Sequence, residues 1–295
     1  MSILTTILSV LFWIAAIGSL GLYLLWLYDR QNLPEKPRLE DIPPRSIPRM
    51  LGAVVLEVGA MFIQLLTYPL RLIYDLSSVK RNDSEQTPIL LVHGWGTSGH
   101  SLAFIHFLLK QRGWKNIYCF SHTPLLTPAD KLAGEVARKI EEVVRETGAE
   151  KIHIIGHSMG GILTRYAIKH LEVGKHIDTV ITLGSPHMGS RVAGIVPMQK
   201  GNIVQLGYQS EFMKELAEGG MMPGGDDIRW VSIYSEMDNF VLPQVSAHLE
   251  GDRAVNLHLN YHGHIALLYS PTVVNMIARN LRAREAAAPQ DSVPA

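Results

Sequence analysis

Residues 152–161 read Ile-His-Ile-Ile-Gly-His-Ser-Met-Gly-Gly, a short apolar run that ends in a G-x-S-x-G pentapeptide centred on Ser158. The run predicts a buried strand, and the residues after the serine are compatible with a helix, which is the context of a nucleophile elbow. At so sharp a turn the serine is strained, and the flanking glycines avoid clashes with neighbouring backbone. The stretch therefore predicts a serine nucleophile at a helix N-terminus, where negative charge is stabilised.

The composition limits the classes of protein to consider. The chain has 295 residues, 27 basic and 27 acidic side chains, and 47% hydrophobic residues. Balanced charge without a basic patch argues against nucleic acid as a partner. The single cysteine, Cys119, lies in an apolar run that predicts a buried strand, and no intrachain disulfide can form. The 13 histidines follow no metal-ligand spacing, so we expect neither a metal nor an organic cofactor.

An uncharged apolar run covers residues 3–27 and ends in a cluster of aromatic residues. About 20 apolar residues are enough to cross a bilayer core, and Trp and Tyr side chains favour the membrane interface. A cleaved signal peptide is the weaker interpretation, because no basic segment precedes the run and no small-residue cleavage site follows it. We therefore predict a transmembrane anchor over residues 1–28.

Residues 29–81 are predicted to connect this anchor to a catalytic domain. The first part, 29–49, is polar and rich in proline, which is typical of a semi-rigid linker. The second part, 50–73, is apolar but carries four polar residues at helical spacing: Glu57, Gln64, Thr67 and Arg71. Because a carboxylate in lipid is costly, we favour an interfacial helix, or a helix packed on the catalytic domain, over a second span.

The number of spans determines the side of the membrane on which the catalytic domain lies. Basic residues follow the first apolar run and none precedes it. With one span, the positive-inside rule places everything after the anchor in the cytoplasm. With two spans, the basic linker becomes the inside loop and the catalytic domain faces outward. The sequence leaves the side open.

From residue 82 onward, short apolar runs alternate with amphipathic segments. Strands are predicted at 88–92, 117–120, 151–155, 179–184 and 229–234, and helices at 101–111, 128–147, 162–171 and 270–281. The strand runs lack polar alternation, which is typical of a parallel sheet covered by helices on both faces. The sequence therefore predicts an α/β catalytic domain over residues 82–281 and a disordered tail over 282–295.

A carboxylate and then a histidine are expected after a serine of this kind in the chain. The strand at 229–234 is followed by Glu236 and Asp238, at the edge of the sheet where the serine elbow emerges. We favour Asp238 as the residue that orients the histidine, with Glu236 as the alternative.

Three histidines follow these carboxylates, at His258, His262 and His264. His258 fits one face of a strand and is interpreted as structural. The other two flank Gly263 in the next loop, and either could reach the serine. We favour His264 because the apolar run after it, residues 265–268, could pack and fix the ring.

An oxyanion hole needs two backbone N–H donors directed at one point. Met159, directly after the nucleophile, is expected to supply one donor. The other is expected in the loop after the first strand, His93-Gly94-Trp95-Gly96, where we choose Trp95. Its indole would also form an apolar wall beside the acyl group.

These segments together resemble the small, lidless bacterial lipases of the α/β-hydrolase superfamily. The resemblance covers about residues 87–281. It rests on the blocks Val92–Gly94, Gly156–Gly161, Val180–Gly184, Ser232–Ser235 with Asp238, and Gly263–Ile265 with Leu267–Ser270. It implies an α/β-hydrolase fold, a triad of Ser158, Asp238 and His264, an oxyanion hole at Trp95 and Met159, and no cofactor.

The chain departs from these lipases in two places. Residues 1–80 have no counterpart in them, and the segment after Gly184 is longer. The sequence Ser185-Pro186-His187-Met188-Gly189-Ser190 resembles a loop of larger lipases. We interpret residues 185–228 as a candidate cap over an acyl pocket, and a surface excursion without a gating role is the alternative.

The resemblance implies a serine ester hydrolase, a lipase, esterase or phospholipase, that forms an acyl-enzyme on Ser158, and the apolar run at residues 3–27 predicts that it is anchored to a membrane. The same triad could serve a thioesterase or an acyltransferase, and a catalytically silent, membrane-tethered scaffold is the third hypothesis. We expect a single-pass protein of a bacterial inner membrane that acts on a lipid or another acyl ester.

Overall fold

The computed structural model describes residues 2–32, 46–72, 86–122 and 125–287. Its strands are β1 Ile89–Val92, β2 Ile117–Phe120, β3 Ile152–His157, β4 Ile177–Leu183, β5 Arg229–Ser235 and β6 Ala254–Leu259. They form one sheet in the order β2-β1-β3-β4-β5-β6, in which every neighbouring pair is parallel. The prediction of a parallel sheet is confirmed.

Helices cover both faces of the sheet. They are α1 Ile3–Asn32, α2 Ile47–Thr67, α3 Ala103–Gln111, α4 Ala129–Thr147, α5 Met159–His170, α6 Arg191–Ile195, α7 Asn202–Gln205, α8 Glu211–Ala217 and α9 Pro271–Ala287. Leu90 and Val92 of β1 pack with α4 and α5, whereas Ile89 and Leu91 pack with α3 and α9. Because successive strand residues point to opposite faces, the unbroken apolar run of β1 supplies both cores.

The turn between β3 and α5 packs closely against the end of β1. A Cβ at Gly156 would lie 2.6 Å from the amide nitrogen of Gly161, and one at Gly160 would overlap the carbonyl oxygen of Val92. Glycine is required here because backbone meets backbone. Helix α5 begins at Met159 rather than at the predicted residue 162, since these glycines weaken the helical pattern at its start.

The last helix is longer than predicted. We expected it to end at residue 281 and to be followed by a disordered tail, but α9 continues to Ala287. The first residues of the predicted tail are therefore helical, and residues 288–295 lie outside the described part of the chain. The alanine-rich composition that suggested a tail also has high helix propensity.

Helices α1 and α2 form an antiparallel pair, which we call the hairpin. The rings of Phe12 and Phe62 are 6.1 Å apart near one end, and Trp26 shares a cluster with Ala53 near the other. Both helices are long and apolar enough to cross a membrane, by length and composition. A stripe of α1 at helical spacing is buried: Ala15, Ala16, Ser19, Tyr23, Trp26 and Asp29.

The predicted linker is helical at both of its ends. Helix α1 continues to Asn32, and α2 begins at Ile47 with Pro48 in its first turn, where proline fits a helix well. Residues 33–45 lie outside the described part of the chain, as do residues 73–85, which include the boundary predicted at residue 82.

The hairpin packs on the α/β domain (residues 86–287). The indole nitrogen of Trp26 donates to the carbonyl oxygen of Glu236 at 2.9 Å, and Arg30 forms an ion pair with the Glu236 carboxylate. On the second helix, Glu57 is completely buried and Ala60 packs with Ile265. Of the arrangements considered from the sequence, the structure shows α2 as a helix packed on the domain.

Candidate active site

Ser158 sits at the turn between β3 and α5 in a strained backbone conformation. Its φ is 54° and its ψ is −124°, which a residue with a side chain rarely adopts and which costs about 1–3 kcal/mol. The loop after β1 lies directly against it, since a Cβ at Gly94 would be 2.8 Å from the Ser158 Cβ. The surrounding packing therefore holds a partly exposed serine in the geometry of a nucleophile elbow.

Asp238 and His264 form a buried pair. Atom Nδ1 of His264 lies 2.8 Å from Oδ2 of Asp238, and both side chains are almost fully buried. The other carboxylate oxygen accepts hydrogen bonds from the backbone amides of Phe240 at 2.9 Å and Val241 at 2.8 Å. Because the loop holds one carboxylate oxygen of Asp238, the other oxygen is fixed toward the imidazole. A carboxylate oxygen can only accept, so the proton of the neutral imidazole lies on Nδ1, and Nε2 is free to accept another.

The imidazole of His264 lies next to the serine elbow. Its ring centroid is 4.6 Å from that of His157, the residue before Ser158, and His157 Nε2 donates to the His264 carbonyl oxygen at 3.3 Å. The ring of Phe240 also stacks on that of His264, with ring centroids 4.9 Å apart. The structure thus brings all three residues of the predicted triad to the same edge of the sheet.

The charges around His264 favour its protonated form. Burial by itself would lower the pKa of His264, but the charge and hydrogen bond of Asp238 and the charge of Glu57 raise it above the ordinary value of 6.5. Burial lowers the pKa of neighbouring His157 well below its usual range, and the charge of His264 adds to this effect. Burial therefore favours the neutral form of His157, whereas the neighbouring carboxylates favour the protonated form of His264.

The alternatives considered for the acid and the base have other partners. Glu236 pairs with Arg30 of the hairpin. Nε2 of His262 lies 3.0 Å from the hydroxyl of Ser270, and burial lowers the pKa of that histidine. His258 lies on β6 with its ring 5.3 Å from that of Tyr234. Among the described residues, the direct Asp–His contact at this edge is the one between Asp238 and His264.

The two predicted oxyanion donors flank the serine. Met159 is the first residue of α5, and the amides of a first helical turn have no carbonyl partner within the helix. Trp95 follows Gly94, whose backbone touches Ser158, and both Trp95 and Met159 line the cavity at the serine. Two amide-bearing segments of the main chain therefore lie beside Ser158, as the prediction requires.

An apolar cavity of about 220 Å³ opens at Ser158. One wall comes from the segment predicted as a cap, through Val192, Ala193 and Val196 around α6 and Ile203 and Leu206 near α7. A further wall is Leu22 of α1. We did not expect the predicted anchor to line the site, because an apolar residue in an apolar helix carries no sequence signal of its partner.

A second contact from the hairpin was also not predicted from the sequence. The Glu57 carboxylate of α2 accepts hydrogen bonds from the amides of Ile265 and Ala266, directly after His264. Its position in an apolar run was a signal that it has a buried polar partner. The sequence alone did not identify that partner.

Within the described residues, no group of three or more His, Cys, Asp or Glu side chains could hold a metal ion.

Solved structures with a similar sheet and helices identify the fold of this chain. Aspergillus fumigatus lipase B superposes with a TM-score of 0.60 over 70% of this chain and 55% of its own, at 21% identity. The mature form of Bacillus licheniformis lipase BlEst2 superposes with a TM-score of 0.56 over 70% of this chain and 96% of its own, also at 21% identity. The chain has the α/β-hydrolase fold.

Sequence comparisons show similarity between this chain and thioesterases. The family profile of palmitoyl protein thioesterases matches residues 88–222. A lysosomal thioesterase of Xenopus laevis, PPT2-B, is 28% identical over 145 residues, which cover 46% of this chain and 50% of that protein. The chain therefore spans about half the length of this curated relative.

The charge balance at His264 gives a test of the pair. Replacing Asp238 with Asn removes the carboxylate charge but leaves the burial, so we expect the pKa of His264 to fall below the ordinary value of 6.5. An NMR titration of the histidine ring nitrogens in the full-length protein measures this. Glu236→Gln, which removes the charge of the other candidate acid, should leave the His264 titration in place. An unchanged pKa in Asp238→Asn would show that the pair is not formed.

Proposed function

We propose that this hydrolase is a serine-dependent acyl hydrolase that acts on acyl esters of lipids. The observation that carries the proposal is the buried Asp238–His264 pair beside a strained Ser158, at the end of an apolar cavity. A polar nucleophile facing an apolar cavity suits a substrate whose reacting carbonyl is attached to a hydrocarbon chain. The neighbouring lipases and thioesterase support the acyl group as the part that is recognised.

The reaction follows from the positions of the three side chains. Nε2 of His264 takes the hydroxyl proton as Ser158 Oγ attacks the carbonyl carbon, and the amides of Trp95 and Met159 stabilise the oxyanion. The ester C–O bond then breaks, and the alcohol leaves with the proton from His264. In the second half of the reaction, a water molecule gives a proton to His264 and attacks the carbonyl carbon of the acyl-enzyme. The bond to Ser158 Oγ then breaks, the carboxylic acid leaves, and His264 returns the proton to Ser158. Asp238 holds the imidazole and stabilises its charged form.

A thioester substrate is the second candidate. The match of residues 88–222 to the palmitoyl protein thioesterase profile favours it, because that segment contains Ser158 and the proposed oxyanion donors. The acyl-enzyme is the same for both substrates, and the leaving group is a thiol instead of an alcohol. Rates for an oxygen ester and a thioester with the same acyl chain distinguish the two.

The serine mechanism is tested by replacing the nucleophile. Ser158→Ala should lose fluorophosphonate labelling and at least about 10³-fold in kcat on p-nitrophenyl esters, because no acyl-enzyme can form. Comparing acetyl to palmitoyl esters with detergent-purified protein then gives the preferred chain length, which we expect to be long. Ser2→Ala, at an exposed serine before α1, is the matched control and should behave as wild type. Wild-type protein that is folded yet unlabelled would contradict the proposal.

We further propose that the hairpin attaches the protein to a membrane by its outer face. That face is apolar and exposed on both helices, at Leu20, Leu24, Leu51 and Val55 among others. Phe12 packs on Phe62, whose neighbour Met61 packs on the α/β domain, so only residues 3–11 of α1 extend beyond these contacts. Nine helical residues cover about 14 Å, less than the ~30 Å of a bilayer core. This geometry favours interfacial attachment over the single-pass anchor expected from the sequence.

Flotation with phosphatidylcholine vesicles tests this attachment. Full-length protein should float with the vesicles after detergent removal. The double variant Leu24→Asp/Val55→Asp places charges at positions that are 67% and 70% exposed, and we expect a vesicle-bound fraction at least about tenfold lower. Phe107→Asp, at an exposed position of α3, should still float. Wild-type protein that stays at the bottom of the gradient would rule the attachment out.

The position of Leu22 predicts an effect on chain-length preference. Leu22→Trp adds bulk to one wall of the cavity, so kcat/KM should fall about tenfold or more for palmitoyl esters and little for acetyl esters. Leu24→Trp changes an exposed residue of the same helix and should leave the preference unchanged. Equal losses on short and long esters would mean that Leu22 does not contact the acyl chain.

A further inference from the structure

Glu57 reaches from the hairpin into the loop that carries the proposed base. Its carboxylate has no exposed surface. Oε1 accepts from the amide of Ile265 at 3.0 Å, and Oε2 accepts from the amide of Ala266 at 2.8 Å. Both carboxylate oxygens are therefore used on two consecutive amides, and these directly follow His264. Hydrogen bonds to a charged acceptor are the stronger ones, and burial excludes water as a competitor.

The loop is shaped for this contact. A Cβ at Gly263 would overlap the Glu57 carboxylate, so a residue with a side chain could not occupy that position without moving the helix or the loop. Gly263 separates His262 from His264, and its lack of a side chain lets the chain approach the carboxylate. The His264 amide is also held, because it donates to the Asn239 side chain at 3.3 Å.

Four titratable groups share this interior with His264. Asp238 faces it from the loop after β5, His157 from the end of β3, and Glu57 from α2, while Tyr23 is buried on α1 near the two carboxylates. Burial raises the pKa of Glu57 to about 7, although the two amide hydrogen bonds and the charge of His264 oppose this effect.

We propose that Glu57 is a positioning residue for His264, so that the hairpin is a working part of the active site as well as a membrane attachment. By fixing the two amides after His264, it sets where the imidazole stands relative to Ser158. Its negative charge also raises the affinity of His264 for a proton. This inference rests on the proposed function, because it assumes that His264 is the base.

Replacing Glu57 with Gln separates positioning from mere packing. The amide side chain has nearly the same shape, but it carries no charge and offers a single acceptor oxygen to two N–H donors. The loop should loosen, and kcat should fall about 10–100-fold with little change in KM, since small displacements of a catalytic group are costly. Without the negative charge the pKa of His264 falls. The base then stays neutral to lower pH, and the acid limb of kcat/KM moves to lower pH by about half a unit or more.

The experiment measures kcat and kcat/KM from pH 5 to 9 on one p-nitrophenyl ester, with full-length wild type, Glu57→Gln and Gln64→Met. Gln64 is buried on the same face of α2, two turns away, and has no charge, so its variant reports loss of packing with the acid limb unmoved. Glu57→Asp is the second variant, for use if Glu57→Gln is unstable. It keeps the charge but shortens the reach, so kcat should fall while the acid limb stays in place.

The outcomes separate this inference from the proposed function. If kcat and the acid limb of Glu57→Gln both match wild type, or if kcat falls with the acid limb fixed as in Gln64→Met, the positioning role is overturned. Ser158→Ala is measured in the same series. If that variant keeps the activity, the proposed function itself has failed; if it loses the activity while Glu57→Gln behaves as wild type, only the role of Glu57 has failed.

Discussion

The close contact of three backbone segments around Ser158 is the constraint on which the site depends. The serine can hold a φ of 54° only because the end of β1 and the turn into α5 meet without side chains between them, at Gly94, Gly156 and Gly160. The apolar residues of β1 and β3 supply the energy that keeps these segments together, since both strands are buried on both faces. Strain at one residue is thus maintained by packing of the whole sheet.

Two buried carboxylates complete the site, and each is stabilised in the same way. Asp238 and Glu57 both accept two backbone amides, which compensates for the loss of water around a charge. Asp238 keeps one oxygen for the imidazole, whereas Glu57 uses both of its oxygens on the loop. One carboxylate therefore acts on the ring of His264 and the other on the chain that carries the ring. Burial lowers the pKa of that histidine, and the combined charge of the two carboxylates raises it.

Much of this could be predicted from the sequence, because the signals are local. Apolar runs marked the strands, the G-x-S-x-G pattern marked the elbow, and the position of Asp238 after β5 followed from the geometry of a parallel sheet. What could not be predicted depends on contacts between distant segments. Glu57 and Ile265 are 208 residues apart, and an apolar residue such as Leu22 gives the same pattern in lipid or against a protein. For that reason the sequence did not indicate that α1 contacts the domain, and it left packing of α2 on the domain as one of two favoured arrangements.

The ion pair and indole contact between α1 and Glu236 have a practical meaning for handling the protein. Two apolar helices are an obvious part to remove when a soluble fragment is wanted. A shortened chain that begins at Gln86 would remove the partners of Ile265, Ala266 and Glu236 together. Such a fragment would lose the exposed apolar residues of the hairpin, and it would leave two amides beside the histidine without their acceptor. A low activity of that fragment would then reflect the missing helices rather than a property of the full-length protein.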